Sequence, residues 1–541
     1  MCLNNVKLPE AFQVKSGPAP SLAFASRFLI SVIPIAMVGA CFGGSPLMAQ
    51  LPARGAAAAG SRQLAPVRKP LQAALQPLRS LSMASADFNG DGVTDLAIGS
   101  SNIAGGGIAI ELGNLDAIAP QSEASWTAAG LHHATPPFLP ASQTIQLDST
   151  PDILLTADGI GSGHQDLVYA TTGSGAIYLL HGNGDGTFSD APISLLLPGG
   201  VTAIAAYRPG APFAGEALVV GYQTAQSSQV AILAFDGSGF SVHAAYPMPG
   251  TVTAMAVGNL SNTSIQDVAI VAGGQLMVLH GAGAITGNGQ LDTLPVSNAE
   301  AVTTGEFLFD RHANIQISVI DTNGNVLILA HSGLDSTPFT AKEIVAQRGL
   351  RPGSPTLAQL AGSNSNEPWT VVETNSGLAV HSVGGPVPLL LRSQAGAGGD
   401  NLVVVNPDRQ ESVTLTHASF ANSPSPVVRT SVRSLASENV VAALSARVNT
   451  DVRQGVVTLA QNETTPEFTV PSAGNTFYVN TTADNTGTTV DTDDGSRCSS
   501  GGAETCTLRD AVTFADVDAA ANISGAKSDT IMVPAGTYPL T

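Results

Sequence analysis

Polar loops alternate with short, continuous apolar runs along most of this chain. LAI follows Asp95, LVYA follows Asp166, VAIV follows Asp267 and VVTL follows Gly455. A turn and a second apolar run come next, as in AIYLL from Ala176, QVAILAF from Gln229 and QLMVL from Gln275. Apolar residues at consecutive positions predict strands covered on both faces, and the Gly- and Asn-rich turns predict hairpins between them. Further copies at 216–235, 306–330, 359–381 and 392–405 give a period of roughly 50 residues, within the range of propeller blades. One unit of three or four strands cannot cover both faces of its own sheet. Radial stacking of about seven units does so and leaves only short protected edges. The expected fold class is all-β, with an approximately seven-bladed β-propeller over 82–460.

The first polar loop is DFNGDGVTD, from Asp87 to Asp95. Side-chain oxygens fall at loop positions one, three, five and nine, on Asp87, Asn89, Asp91 and Asp95, and the Val93 carbonyl falls at position seven. A hard cation such as Ca²⁺ takes about six to eight oxygen ligands, and odd spacing lets a curled loop aim them inward. Gly90 and Gly92 allow the positive φ that such curling needs. Ile98 stands where an EF-hand has its Glu, and an apolar run follows instead of a helix. The competing reading is a cluster of Asx turns without metal, in which three close carboxylates would repel one another.

The later copies are weaker. The second loop offers Asp158, Ser162 and Asp166, with Ile160 at position three. Asn259, Ser261, Thr263 and Asp267 form a nearly neutral set. The last loop has Arg447 at position one and Gly455 at position nine, so an arginine puts its own cation where calcium would go. One calcium site is expected, at 87–95, with a doubtful second at 158–166. NGDG from Asn183 reads as a hairpin turn.

These units resemble FG-GAP, or VCBS-type, repeats, the blades of integrin-α-like β-propellers. The resemblance rests on DFNGDGVTDL from Asp87 and LHGNGDGTF from Leu180, and fades in the later units. It implies a non-catalytic adhesion or interaction module that binds an extracellular protein or glycan through loops on one face. Two other readings remain open: a lectin-like propeller, and the targeting part of a larger polysaccharide-degrading enzyme.

The segment 475–541, beyond a linker at 461–474, changes character. Thr507 is the expected N-cap of a helix, and DTIMVPAGTY from Asp529 reads as a strand and a turn. Cys498 and Cys506 suit a small disulfide loop in an oxidising compartment. CTLRDA from Cys506 resembles the CSLREA-type segment. That resemblance implies the start of a right-handed parallel β-helix with a short capping helix. The sequence stops at Thr541, about where the first coil would start, so either it is the front part of a longer protein, the reading favoured here, or the motif is a remnant.

At the other end, Lys7, Lys15 and Arg27 precede an apolar run over 28–41 that is too short for a secure membrane span and suits a signal sequence. A leader is expected over 1–49 and a linker over 50–81. VGAC, ending at Cys41, resembles a lipobox and would put a lipid anchor there, the one membrane attachment expected; the alternative is ordinary cleavage near Ala49 or Ala53. The net charge of −19 argues against nucleic acid, which demands a basic surface. No active-site motif emerges. His132 and His133 lack a metalloprotease Glu at the needed spacing, and the two tryptophans, Trp126 and Trp369, read as packing residues.

Overall fold

The protein is described here from a computed structural model. It covers 79–538 apart from 103–104, 211–212, 309–314, 332–367, 395–398, 419–426, 471–472, 485–497, 499–504, 522–527 and the single positions 132, 134, 142, 214, 238, 262, 264 and 452. The expected leader, Cys41, His132 and nearly all of the 50–81 linker lie outside the described residues.

Six four-stranded antiparallel sheets and one three-stranded sheet form seven blades. They span 79–147, 153–196, 200–248, 252–297, 299–375, 389–434 and 440–469. Within each blade the strands pair in chain order, as hairpins joined by short turns require. The seven inner strands begin at Arg79, Ile153, Gly200, Val252, Ala299, Leu389 and Val440, and each packs against the next. The last meets the first, so the ring is closed. Ser80 seals it: its N–H donates to Gln461 O at 2.9 Å and its hydroxyl to Glu463 O at 2.5 Å. Leu96, Ile98 and Leu459 pack together at the same junction.

The second strand of a blade lies between neighbouring blades, which explains its unbroken apolar run. Asp166–Ala170, Asp267–Ala272, Gln316–Asp321 and Gly455–Ala460 are buried at every position. Each buried Val, Leu or Ile there contributes about 1.5–3 kcal/mol relative to exposure.

Several details differ from the sequence reading. The sheet of blade one already starts at Arg79, and that of blade seven runs on to Thr469. The unit expected at 359–381 is not a blade of its own: Thr370–Asn375 is the outer strand of blade five, and 359–367 lie outside the described residues. Blade one also carries an unexpected helical insertion between its third and fourth strands. Its helices are α1 (Leu115–Ile118) and α2 (Glu123–Gly130), capped by the Asn114 and Ser122 side chains.

Beyond the propeller, Ala473–Tyr478 pairs in parallel with Ser528–Met532, and helix α3 (Leu508–Ala521) lies between them in sequence. Thr507 and Asp510 cap α3 reciprocally, Asp510 N–H to Thr507 Oγ1 at 3.1 Å and Thr507 N–H to Asp510 Oδ2 at 3.0 Å. The Cys498–Cys506 disulfide is buried among Phe477, Leu508 and Phe514. A solenoid needs coil stacked on coil. The described residues hold one parallel pair and no stacked coil.

Candidate functional site

An antiparallel meander places the loop between strands one and two of a blade at the same end as the loop between strands three and four. All such loops therefore share one face of the ring. They are laced from blade to blade. Gly186 N–H of blade two donates to Phe88 O of blade one at 3.0 Å. Glu216 N–H of blade three donates to Asp158 O of blade two at 2.8 Å, and Arg208 N–H to Gln266 Oε1 of blade four at 2.9 Å. His331 of blade five bonds Leu260 O of blade four at 2.9 Å. Asp400 N–H of blade six donates to Glu306 O of blade five at 2.7 Å, and Gln454 N–H of blade seven to Gln394 O of blade six at 3.2 Å. The α1–α2 insertion belongs to this face. It presents Leu115, Leu131 and Leu139, all at least 44% exposed.

The loop 87–95 is tightly curled, with Gly90 at φ +74° and Gly92 at φ +82°. Asp87 caps it: Oδ1 accepts from Gly90 N–H at 2.8 Å and Asp91 N–H at 3.2 Å, and Oδ2 from Gly92 N–H at 2.9 Å. Asn89 Oδ1 accepts from Asp91 N–H at 3.0 Å, and Asp91 Oδ1 from Val93 N–H at 2.7 Å. Asp95 is fully buried. Burial raises its pKa, the Gly113 and Phe88 N–H bonds oppose that rise, and the charges of Asp91 and Asp87 add to it. The carboxylates do not converge as they stand: among the described residues no three His, Cys, Asp or Glu side chains are grouped to hold a metal. The donor set nevertheless suits Ca²⁺. It is all oxygen, and a carboxylate oxygen engaged by one N–H keeps a further lone pair; Asp91 is exposed, and to turn inward it would exchange its bonds to Val93 N–H and to the Asn89 amide at 3.0 Å for the ion.

Position nine has a second role that spacing alone did not reveal. Asp95 Oδ1 accepts from Gly113 N–H at 2.6 Å, Asp166 Oδ1 from Gly182 N–H at 3.0 Å, and Asp267 Oδ1 from Gly281 N–H at 2.9 Å. The other oxygen holds the loop, accepting from Phe88 N–H at 2.7 Å, Ile160 N–H at 3.2 Å and the Ser261 hydroxyl at 2.7 Å. Each aspartate thus clamps the entry of its own strand to the end of the third strand. Glycine is needed opposite. A Cβ on Gly182 would strike Gln165 O, one on Gly281 would strike Gln266 O, and one on Gly113 would lie 2.7 Å from Thr94 O. In blade five Gln316 takes over part of the role, accepting from Leu308 N–H at 3.1 Å.

Two histidines at matching strand ends, His181 and His280, sit on these clamps. His181 Nδ1 is 2.8 Å from Asp166 Oδ1. His280 lies 3.6 Å from Asp267 and 2.9 Å from Asp292. The Asp267 carboxylate, helped by Asp292 and opposed by burial, pushes the His280 pKa up to about 9.

In the second loop, Asp158 Oδ2 accepts from Gly163 N–H at 3.1 Å and Ser162 Oγ from His164 N–H at 3.2 Å, while Asp166 faces inward as a clamp. In the last loop the arginines occupy the interior. Arg447 donates to Asp451 O at 3.1 Å and Thr450 O at 3.3 Å, and Arg453 pairs with the Asp451 carboxylate at 2.7 Å. Trp369 lies against His331 with ring centroids 3.9 Å apart, a packing contact as expected.

The closed ring of seven four-stranded or near-complete blades defines the chain as a seven-bladed β-propeller. Residues 81–108, which hold the clamped loop and the first two strands, match the family described as FG-GAP repeat. The match is confined to the first blade, and a propeller with such a match points to an interaction module. No curated protein sequence matches the chain. Among solved structures, a chain of the crystal structure of BBS1N in complex with ARL6DN, soaked with lead, is similar with 12% identity and a TM-score of 0.42, covering 71% of this chain and 89% of that one. The structure of the Dos1 propeller is similar with 8% identity and a TM-score of 0.36, covering 68% and 72%. Likenesses at these scores say nothing of function.

Proposed function

We propose that the protein is an exported, non-catalytic adhesion or interaction module whose loop face binds an extracellular protein or glycan and whose first loop takes a structural calcium ion. The observation that supports this most is the laced loop face, which sets the curled oxygen-rich loop beside an insertion exposing Leu115, Leu131 and Leu139. Exposed apolar side chains on a polar rim are a common form of recognition surface. Asp87, Asn89, Asp91, the Val93 carbonyl and Asp95 would hold the calcium. The ion would neutralise the carboxylate charges gathered in this one loop and would fix the loop against its neighbours.

The test is binding of the purified chain to extracellular matrix proteins and to a glycan array. The reading expects a hit that weakens at least tenfold when Leu115, Leu131 and Leu139 are changed together to Ser. A hit indifferent to that change, or lost equally when Leu196 on an outer strand is changed, would move the binding surface elsewhere. Leu196 is 77% exposed and makes a suitable control.

A further inference from the structure

The two motifs that stood apart in the sequence touch in the fold. Phe88, between the candidate ligands Asp87 and Asn89, is only 3% exposed. Its N–H is held by Asp95 Oδ2 at 2.7 Å, and its carbonyl accepts from Gly186 N–H of blade two at 3.0 Å. Its ring meets Phe188 edge-on, with centroids 5.1 Å apart and planes at 78°. Gly186, at φ +84°, approaches so closely that a Cβ there would lie 2.9 Å from Leu112 and 3.6 Å from Asn89 Cβ.

The blade-two turn also closes on hydrogen bonds of its own. Asn183 N–H donates to Thr187 O at 2.9 Å, and Asp185 Oδ1 accepts from the Thr187 hydroxyl at 2.6 Å and its N–H at 3.0 Å. Phe188 is anchored in the core between blades one and two, with Ala97, Ile108 and Leu180. The loop 87–95, by contrast, carries exposed Gly90, Asp91 and Gly92 at its tip. Its buried side chains are Phe88, Val93 and Asp95, and of these Phe88 is the one that meets the Phe188 ring.

We infer that the turn 183–188 of blade two is the seat that positions the calcium loop of blade one, with Phe188 and Gly186 as positioning residues and Phe88 as the contact. This rests on the calcium reading above. A loop whose oxygens are already ordered binds a cation without first losing conformational freedom, whereas an unseated loop pays for its ordering out of binding energy. Coupling is reciprocal: calcium would in turn tighten the junction of blades one and two.

The experiment is a calorimetric Ca²⁺ titration of the full chain, well below the melting temperature, on wild type, Phe188→Leu, Phe188→Ala and Phe240→Ala. Phe240 makes a similar edge-on pair with Phe235 in blade three, at 5.7 Å and 62°, so its loss tests general destabilisation. Phe188→Leu keeps an apolar side chain and decides the matter if Phe188→Ala does not fold. The expected result is a Kd weakened about fivefold or more by the Phe188 changes and unchanged by Phe240→Ala. Wild-type Kd in both Phe188 variants, or equal weakening by Phe240→Ala, overturns the inference while leaving calcium binding intact. A wild type that takes up no calcium overturns both, and is recognised before any variant is made.

Discussion

Asp166 and Gly182 are joined by a 3.0 Å hydrogen bond from the glycine N–H to the buried carboxylate, binding the start of one strand to the end of another sixteen residues on. The same bond joins Asp95 to Gly113 and Asp267 to Gly281. The loops served by these aspartates differ widely in acidity, so the bond itself is what the three blades share. The clamp is a device of blade construction, and any calcium role of Asp95 is added to it.

Asp166→Ala is therefore expected to destabilise the fold by about 2–4 kcal/mol, because it strands the buried N–H of Gly182 and the half-buried N–H of Ile160. Asp185→Asn, on the exposed turn nearby, is expected to leave the denaturation midpoint unchanged. Urea unfolding of both variants measures the difference.

Much of this was legible in the sequence, for a physical reason. The second strands are covered on both faces, so LVYA after Asp166 and VAIV after Asp267 had to be apolar throughout, and their spacing gave the blades. The partner glycines were not legible as partners. A glycine at the end of a third strand reads as an ordinary turn residue, and only the close approach of Gln165 O and Gln266 O shows that no side chain fits there. Their recurrence fourteen to eighteen residues after each aspartate was the available signal. The α1–α2 insertion was missed because its helices are short and weakly amphipathic, leaving only the caps Asn114 and Ser122 as cues. The contact of Phe88 with Phe188 joins residues of different blades, and no local pattern encodes it.

Stability should fall on the alkaline side through His280. A histidine raised above its usual 6.5 to about 9 in the folded state binds its proton more tightly there than when unfolded. Its contribution is fully present below pH 6.5, declines as the pH rises, and is gone above about 9. The sum is at most about 3 kcal/mol. Melting curves from pH 6 to 10 should show the decline, and His280→Gln should flatten it; an identical slope in the variant would remove His280 as the cause.

Blade seven replaces loop carboxylates with an internal ion pair. Arg453 and Asp451 are 2.7 Å apart, with side chains 11% and 6% exposed. Arg453→Ala leaves a buried carboxylate without this partner and should cost about 3–5 kcal/mol. Arg409→Ala breaks a longer, more exposed contact with Glu411, at 3.4 Å, and should cost under about 1 kcal/mol. Paired chemical denaturation curves compare them.

The measurement that bears most directly on the proposed role of the first loop is thermal unfolding of the full chain in excess calcium and in excess EDTA, for wild type and for Asp87→Ala with Asp91→Ala. A site filled to 100 times its Kd would add about 2.7 kcal/mol. The account predicts a higher melting temperature in calcium for the wild type and no calcium effect in the double variant. Identical wild-type melts in calcium and EDTA, with no bound metal found by elemental analysis, would contradict it and leave 87–95 as a loop held by its own hydrogen bonds.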